Sequence, residues 1–123
     1  MATQIDTAND SVRFDAATDM LKLLADETRL RIIWELLSSE RSVNELAELV
    51  GAQPAGVSQH LAKLRLARLV RTRREGNRIF YVVDDVHVRR LIMDVVSHAN
   101  HVNRSDSGGE GSASRPSRVS RVR

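Results

Sequence analysis

Apolar positions keep helical spacing along most of the central chain and change to strand alternation once. From Val12 to Ala25 the residues Phe14, Ala17, Met20, Leu21 and Leu24 recur at the three- and four-residue intervals of one helix face. Asp26 stands where it can cap a second helix, whose apolar face reads Leu30, Ile33, Trp34 and Leu37. Ser42 followed by Glu45 is a capping box and opens a short third helix, Val43 to Val50, with Gly51 placed just past its end for a left-handed turn. Pro54 fits the first turn of a fourth helix reaching about Leu69, with Val57, Leu61, Leu64 and Leu69 on its inner side. Two strands follow, Leu69 to Arg74 and Arg78 to Val83, the second alternating Ile79, Tyr81 and Val83 against Phe80 and Val82. Glu75-Gly76-Asn77 between them suits a tight hairpin. Asp84 or Asp85 caps a last helix from Val86 to Asn103.

The order α-α-α-α-β-β-α predicts an α+β, mainly helical, winged helix-turn-helix: a short helix, a brief turn, a second helix with a polar outer face, and a hairpin as the wing. The pattern divides the chain into an N-terminal arm (1–11), one domain (12–103) and a tail rich in Ser, Gly and Arg (104–123), with arm and tail expected to be disordered. At 123 residues, 41% of them apolar, one core is the limit. There is no cysteine, which removes disulfides, thiolate metal sites and thiol redox chemistry. No apolar run approaches the roughly 20 residues of a membrane span, and Met1 to Asp10 is polar and slightly acidic, unlike a signal peptide. A cytoplasmic protein is expected.

Charge sharpens this picture through its distribution rather than its net value of +3. Met1 to Val50 carries five basic side chains against ten acidic ones, whereas His60 to Arg78 carries seven basic (Lys63, Arg65, Arg68, Arg71, Arg73, Arg74, Arg78) against Glu75 alone. A basic stripe on a neutral-to-acidic body is the electrostatic footprint of a double-stranded DNA reader. The N-terminal half of the second helix of a helix-turn-helix enters the major groove. Here it offers Ser58, Gln59 and His60, with small Ala55 and Gly56 allowing close backbone approach. Gln pairs bidentately with adenine, and Ser bonds a base edge or a phosphate. Lys63 and Arg65 fall where phosphates run, and Arg73, Arg74, Asn77 and Arg78 of the wing can reach the backbone or minor groove.

Three of the four histidines lie on the last helix, as Asp85-Val86-His87 and His98-Ala99-Asn100-His101. At about 100° per residue, the step from His87 to His98 returns to nearly the same face, and His98 and His101 are neighbours on it. Along the axis the two pairs stand roughly 16 Å apart, while metal–ligand bonds are about 2.0–2.2 Å. One chain therefore cannot close them on one ion. A second copy packed antiparallel across a two-fold axis can: Asp85 and His87 of one protomer then face His98 and His101 of the other, in two equivalent sites. Three imidazoles and a carboxylate suit tetrahedral Zn(II); Ni(II) and Co(II) take further ligands, which the histidine positions do not supply. A ligand histidine commonly donates its other ring N–H to an outer acceptor, expected here to be a backbone carbonyl around Arg68.

These residues together resemble the ArsR/SmtB family of metal-sensing repressors over about residues 14–102. The resemblance rests on Leu23-Leu24-Ala25-Asp26-Glu27-Thr28-Arg29-Leu30-Arg31-Ile32, on Val57-Ser58-Gln59-His60-Leu61, on the wing Arg74-Glu75-Gly76-Asn77-Arg78, and on the final-helix Asp-x-His and His-x-x-His pattern. It implies a homodimer through terminal helices that binds an inverted-repeat operator without metal and leaves it on binding zinc. The cysteines through which some members sense are absent from the matching stretch Val43-Asn44-Glu45-Leu46. Three alternatives stay open: a Ni(II)/Co(II)-responsive member, a repressor whose zinc is only structural, and one answering another ligand. No nucleophile–base pair, phosphate loop or open-site metal pattern points to an enzyme.

Overall fold

The computed structural model describes residues 12–110, with side chains to 105. The elements run α1 (Phe14–Leu24), α2 (Glu27–Ser38), α3 (Val43–Val50), α4 (Pro54–Leu66), β1 (Arg71–Glu75), β2 (Arg78–Val82) and α5 (Val86–Glu110). The expected arm, and the tail beyond 110, lie outside the described residues.

Local chemistry accounts for most boundaries. Asp26 caps α2, its Oδ1 accepting the Arg29 backbone N–H at 3.0 Å. Ser42 and Glu45 close a reciprocal capping box on α3, and Gly51 (φ +68°) turns the chain so that the Ala52 N–H returns to the Ala47 carbonyl. α4 ends at Leu66 rather than near Leu69. Arg68 takes a left-handed backbone (φ +63°), the Leu69 N–H bonds back to the Leu64 carbonyl and the Arg68 N–H to that of Arg65. That is a Schellman stop with arginine where glycine usually sits, so composition did not mark it. Leu69 is buried as the apolar residue closing the motif rather than as a helical one.

The inner sides of α2, α3 and α4 meet in one core: Ile32, Ile33 and Leu36, then Leu46 and Ala47, then Val57, Leu61 and Leu64, with Leu69, Val70, Val83 and Ile92 completing it. The inner face of α2 is rotated from the expected one. Ile32 and Leu36 are buried and Trp34 is 42% exposed, because α2 packs its 32/33/36 side against α3, β2 and α5. α1 departs further. Only Leu24 of its apolar face is buried, while Phe14, Met20 and Leu21 are exposed.

β1 and β2 pair antiparallel from Arg71↔Val82 to Glu75↔Arg78 across the two-residue turn Gly76-Asn77. Gly76 has φ +65°, the glycine-first arrangement of a primed hairpin turn. Arg41 bridges Tyr81 by two backbone bonds, N–H to O of 3.2 and 2.8 Å, and anchors the wing to the α2–α3 connection. Half-buried Arg89 fastens α5 by donating to the Val83 carbonyl (3.0 Å) and to the Leu37 carbonyl (2.6 Å) near the end of α2. α5 runs to Glu110, past the Asn103 expected. No proline stands between Val86 and Pro116, and each added residue of a nucleated helix gains a backbone bond.

Candidate nucleic-acid interface and metal-ligand stripe

α3, the turn at Gly51 and α4 form the helix-turn-helix. On α4 the buried Val57, Leu61 and Leu64 set the inner side, which leaves Ser58, Gln59, Lys63 and Arg65 exposed. Gly56 stands in the first turn of this helix, and a Cβ added there meets nothing within 4 Å, so packing inside the chain does not require glycine. His60 differs from the other residues expected to face DNA. It is half-buried, and its Nδ1 lies 3.2 Å from Nη1 of Arg29, whose Nε donates to the Leu23 carbonyl at 2.6 Å. At three residues after Val57 the His60 side chain flanks the core side, so one ring nitrogen is spent joining α4 to α2.

The wing cations are also unequal. Arg73 is half-buried, paired with Glu40 at 2.5 Å and with Glu75 at 3.1 Å. Arg74 and Arg78 are exposed and form no ion pair among the described residues, and Asn77 lies exposed at the tip. Sequence reasoning passed over Phe80, which lies beneath two guanidinium groups, Arg73 and Arg78, each 4.9 Å from its ring centroid. The signal was available: Phe80 is cross-strand from Arg73 and two residues from Arg78, hence on their face of the hairpin.

At the start of α5 the two candidate caps divide the work. Asp85 Oδ1 accepts the backbone N–H groups of His87 (2.7 Å) and Val88 (3.1 Å), leaving Oδ2 without a partner among the described residues. Asp84 pairs instead with Arg71 at 2.6 Å, and that guanidinium holds its carboxyl below the ordinary carboxylate range. His87, His98 and His101 are exposed, with imidazoles that make no hydrogen bond among the described residues. They lie opposite the side that buries Ile92, beside exposed Leu91, Val95 and Val102. Among the described residues of one chain, no three His, Asp or Glu side chains gather around a common point. The donors present, three free imidazoles and one free carboxylate oxygen, match a zinc set in type, and within one chain they stay in two separate pairs. An open cleft of about 510 Å³ runs beside Asp85 and is also lined by Arg65, Arg68, Arg71 and Thr72. No hydrogen bond among the described residues ends on the Arg68 carbonyl.

Helix-turn-helix, hairpin wing and flanking helices define the molecule as a winged helix protein. The family of bacterial regulatory proteins of arsR type matches residues 26–72. The chain is 55% identical over 83 residues to the HTH-type transcriptional regulator KmtR of Mycobacterium tuberculosis, covering 68% of this chain and 64% of that one, so it spans less than two thirds of that relative. With the HTH-type transcriptional regulator NmtR of the same organism it shares 33% over 94 residues, 76% of this chain and 78% of that one. Among solved structures, the homodimeric winged helix-turn-helix DNA-binding domain of a possible ArsR-family regulator from Mycobacterium bovis superimposes with a TM-score of 0.66 at 33% identity, covering 76% of this chain and 91% of that one. The chain belongs to the ArsR family. No helix among the described residues is long and apolar enough to cross a membrane.

Proposed function

We propose that the protein is a metal-responsive transcriptional repressor that binds operator DNA as a homodimer and leaves it when Zn(II) binds between the subunits. The observation that carries this reading is the outward stripe of α5, where exposed His87, His98 and His101 stand beside exposed Leu91, Val95 and Val102, with the capping Asp85 just ahead of the helix. Apolar residues on the side away from the core call for a covering surface. The exposed Phe14, Met20 and Leu21 of α1 extend the same need, and a second copy meets both. Family membership and the homodimeric Mycobacterium bovis domain support the dimer.

In the antiparallel pairing, Asp85 Oδ2 and His87 of one protomer meet His98 and His101 of the other. Bound zinc would tie the two α5 helices together and fix the angle between protomers. Entry into successive major grooves needs the two α4 helices about 34 Å apart, so a dimer held at another angle loses affinity. Arg68, just past the end of α4, lines the cleft that Asp85 also lines. Its carbonyl, which accepts no hydrogen bond among the described residues, is the acceptor this reading assigns to a ligand imidazole's second N–H, joining metal site to recognition helix. Ser58, Gln59, Lys63, Arg65, Arg74, Asn77 and Arg78 carry the DNA contacts, and His60 contributes its remaining ring nitrogen. Gly56 supports the reading, since a helical glycine with no reason inside the chain fits close approach of a duplex.

The test is titration of a duplex taken from upstream of the protein's own gene, with and without zinc, nickel or cobalt. Zinc is expected to lower affinity by about 5- to 150-fold, the usual range of allosteric coupling, and His98→Ala to abolish that response while leaving metal-free binding intact. Zinc that raises thermal stability without moving DNA affinity would make the metal structural. An equal response from His98→Ala would remove the stripe from the mechanism.

A further inference from the structure

Seven basic residues crowd the segment from His60 to Arg78; four of them lie on the wing, which holds Arg73 and Arg78 in two different states. Arg73 is tethered twice, to Glu40 on the α2–α3 connection and to Glu75 at the end of its own strand. Its guanidinium also lies over the Phe80 ring. Arg78 has no carboxylate partner among the described residues, yet it too is held, with its guanidinium carbon 4.9 Å from the same ring centroid. The hairpin register accounts for this. Arg73 is directly opposite Phe80, Arg78 is opposite Glu75, and all four side chains share one face. Glu40 and Glu75 neutralise the first cation; the ring orders the second without neutralising it.

We infer that Phe80 is the positioning residue of the wing. It holds Arg78 as the charge offered to a phosphate of duplex DNA, while Arg73 serves as a strut that Glu40 fixes to the body. An arginine free in water loses rotamer freedom when it binds a phosphate, and a side chain already laid across a ring has lost part of it beforehand. A guanidinium held over the ring keeps N–H donors for an anion, because the aromatic accepts none of its in-plane hydrogen bonds. Arg73 cannot do the same without giving up two carboxylates. The inference rests on the DNA-binding reading above and ranks the wing cations that this reading leaves equal.

The experiment uses the full chain and a random-sequence 30-base-pair duplex, followed by fluorescence anisotropy across a salt series. Such DNA reports backbone contacts without knowledge of the operator. Arg78→Ala is expected to lower the slope of log affinity against log salt by about one. Phe80→Leu is expected to weaken binding about two- to fivefold at low salt, the size of an exposed cation–π contact. Adding Phe80→Leu to Arg78→Ala should cost nothing further, because the ring acts through that arginine. Phe80→Tyr keeps the ring and should bind as wild type. Arg73→Ala should leave the slope unchanged and lower the melting temperature instead. Circular dichroism melting of each variant separates lost positioning from lost folding.

Additive losses from Phe80→Leu and Arg78→Ala would overturn the inference, as would a slope reduced by Arg73→Ala as much as by Arg78→Ala. If wild type binds no duplex at low salt, the functional reading falls and takes this inference with it. If wild type binds but the two variants are additive, only the positioning role is lost.

Discussion

The α3–α4 unit and the α1/α5 pair are both amphipathic, yet the chain finishes one and leaves the other open. Val57, Leu61 and Leu64 of α4 are fully buried within the chain, so this helix is rigidly seated and its outer residues are presented in fixed positions. On α5, among the described side chains, only Ile92 is fully buried, with Val88 and Val96 packed beside the core. Leu91, Met93, Val95 and Val102 stay exposed, as do Phe14 and Leu21 of α1. A reading element can be completed inside one protomer. An element proposed to meet a second copy cannot, and the unfinished face of α5 is the one that carries the unpartnered imidazoles.

Leucine substitutions test the contrast most severely. Leu61→Ala should cost about 2–5 kcal/mol in denaturant unfolding, since it removes a fully buried side chain from a closed core. Leu91→Glu should leave the monomer's melting temperature nearly unchanged and weaken self-association at least about tenfold in sedimentation equilibrium, the effect of a buried charge on an interface. If Leu91→Glu unfolds the protomer, or leaves association untouched, the two regions do not differ as described. Next in size is Gly56→Ala. Removing a helical glycine with open space around it should stabilise the fold by about 0.4–1 kcal/mol while weakening DNA binding, so stability and affinity move in opposite directions. A rise in both would show that nothing approaches the backbone there.

The smallest effect lies where the two regions join. Arg71 of β1 and Asp84, just before α5, pair on the surface, and the Asp84 carboxyl is held low. Asp26 is held low as well, chiefly by the Arg29 backbone N–H that it caps. A carboxylate with a lowered folded-state pKa contributes stability above its unfolded value, about 3.9, and loses it as pH falls through the lowered one. Asp84→Asn should therefore flatten the acid limb of a melting-temperature profile below about pH 4 and change little at neutral pH, where an exposed pair is weak. An unchanged acid limb would mean that the pair does not persist in solution.

Much of this fold was legible in the chain because its signals are local. Asp26, the Ser42–Glu45 box, Gly51, Pro54 and the Gly76-Asn77 turn each satisfy or redirect neighbouring backbone groups, and such bonds form within a few residues. The end of α4 was not legible, because Arg68 adopts a left-handed backbone that glycine usually marks. Nor was the inner face of α2, where Trp34 matched the helical period but was turned to solvent by the way the helix sits on the core. Among the site residues, the α5 stripe followed from helical periodicity alone. The bond from Arg29 to His60 and the two arginines over Phe80 did not.

Element order, caps, the wing turn and the common face of His87, His98 and His101 were decided by the sequence itself, since each depends on spacing along one stretch of backbone. Which faces close and which cations stay free was decided only by the tertiary structure. Glu40 reaches Arg73 and Arg29 reaches His60 across residues far apart in the chain. A side chain's availability depends on the partner that folding brings to it, and local spacing carries no record of that partner.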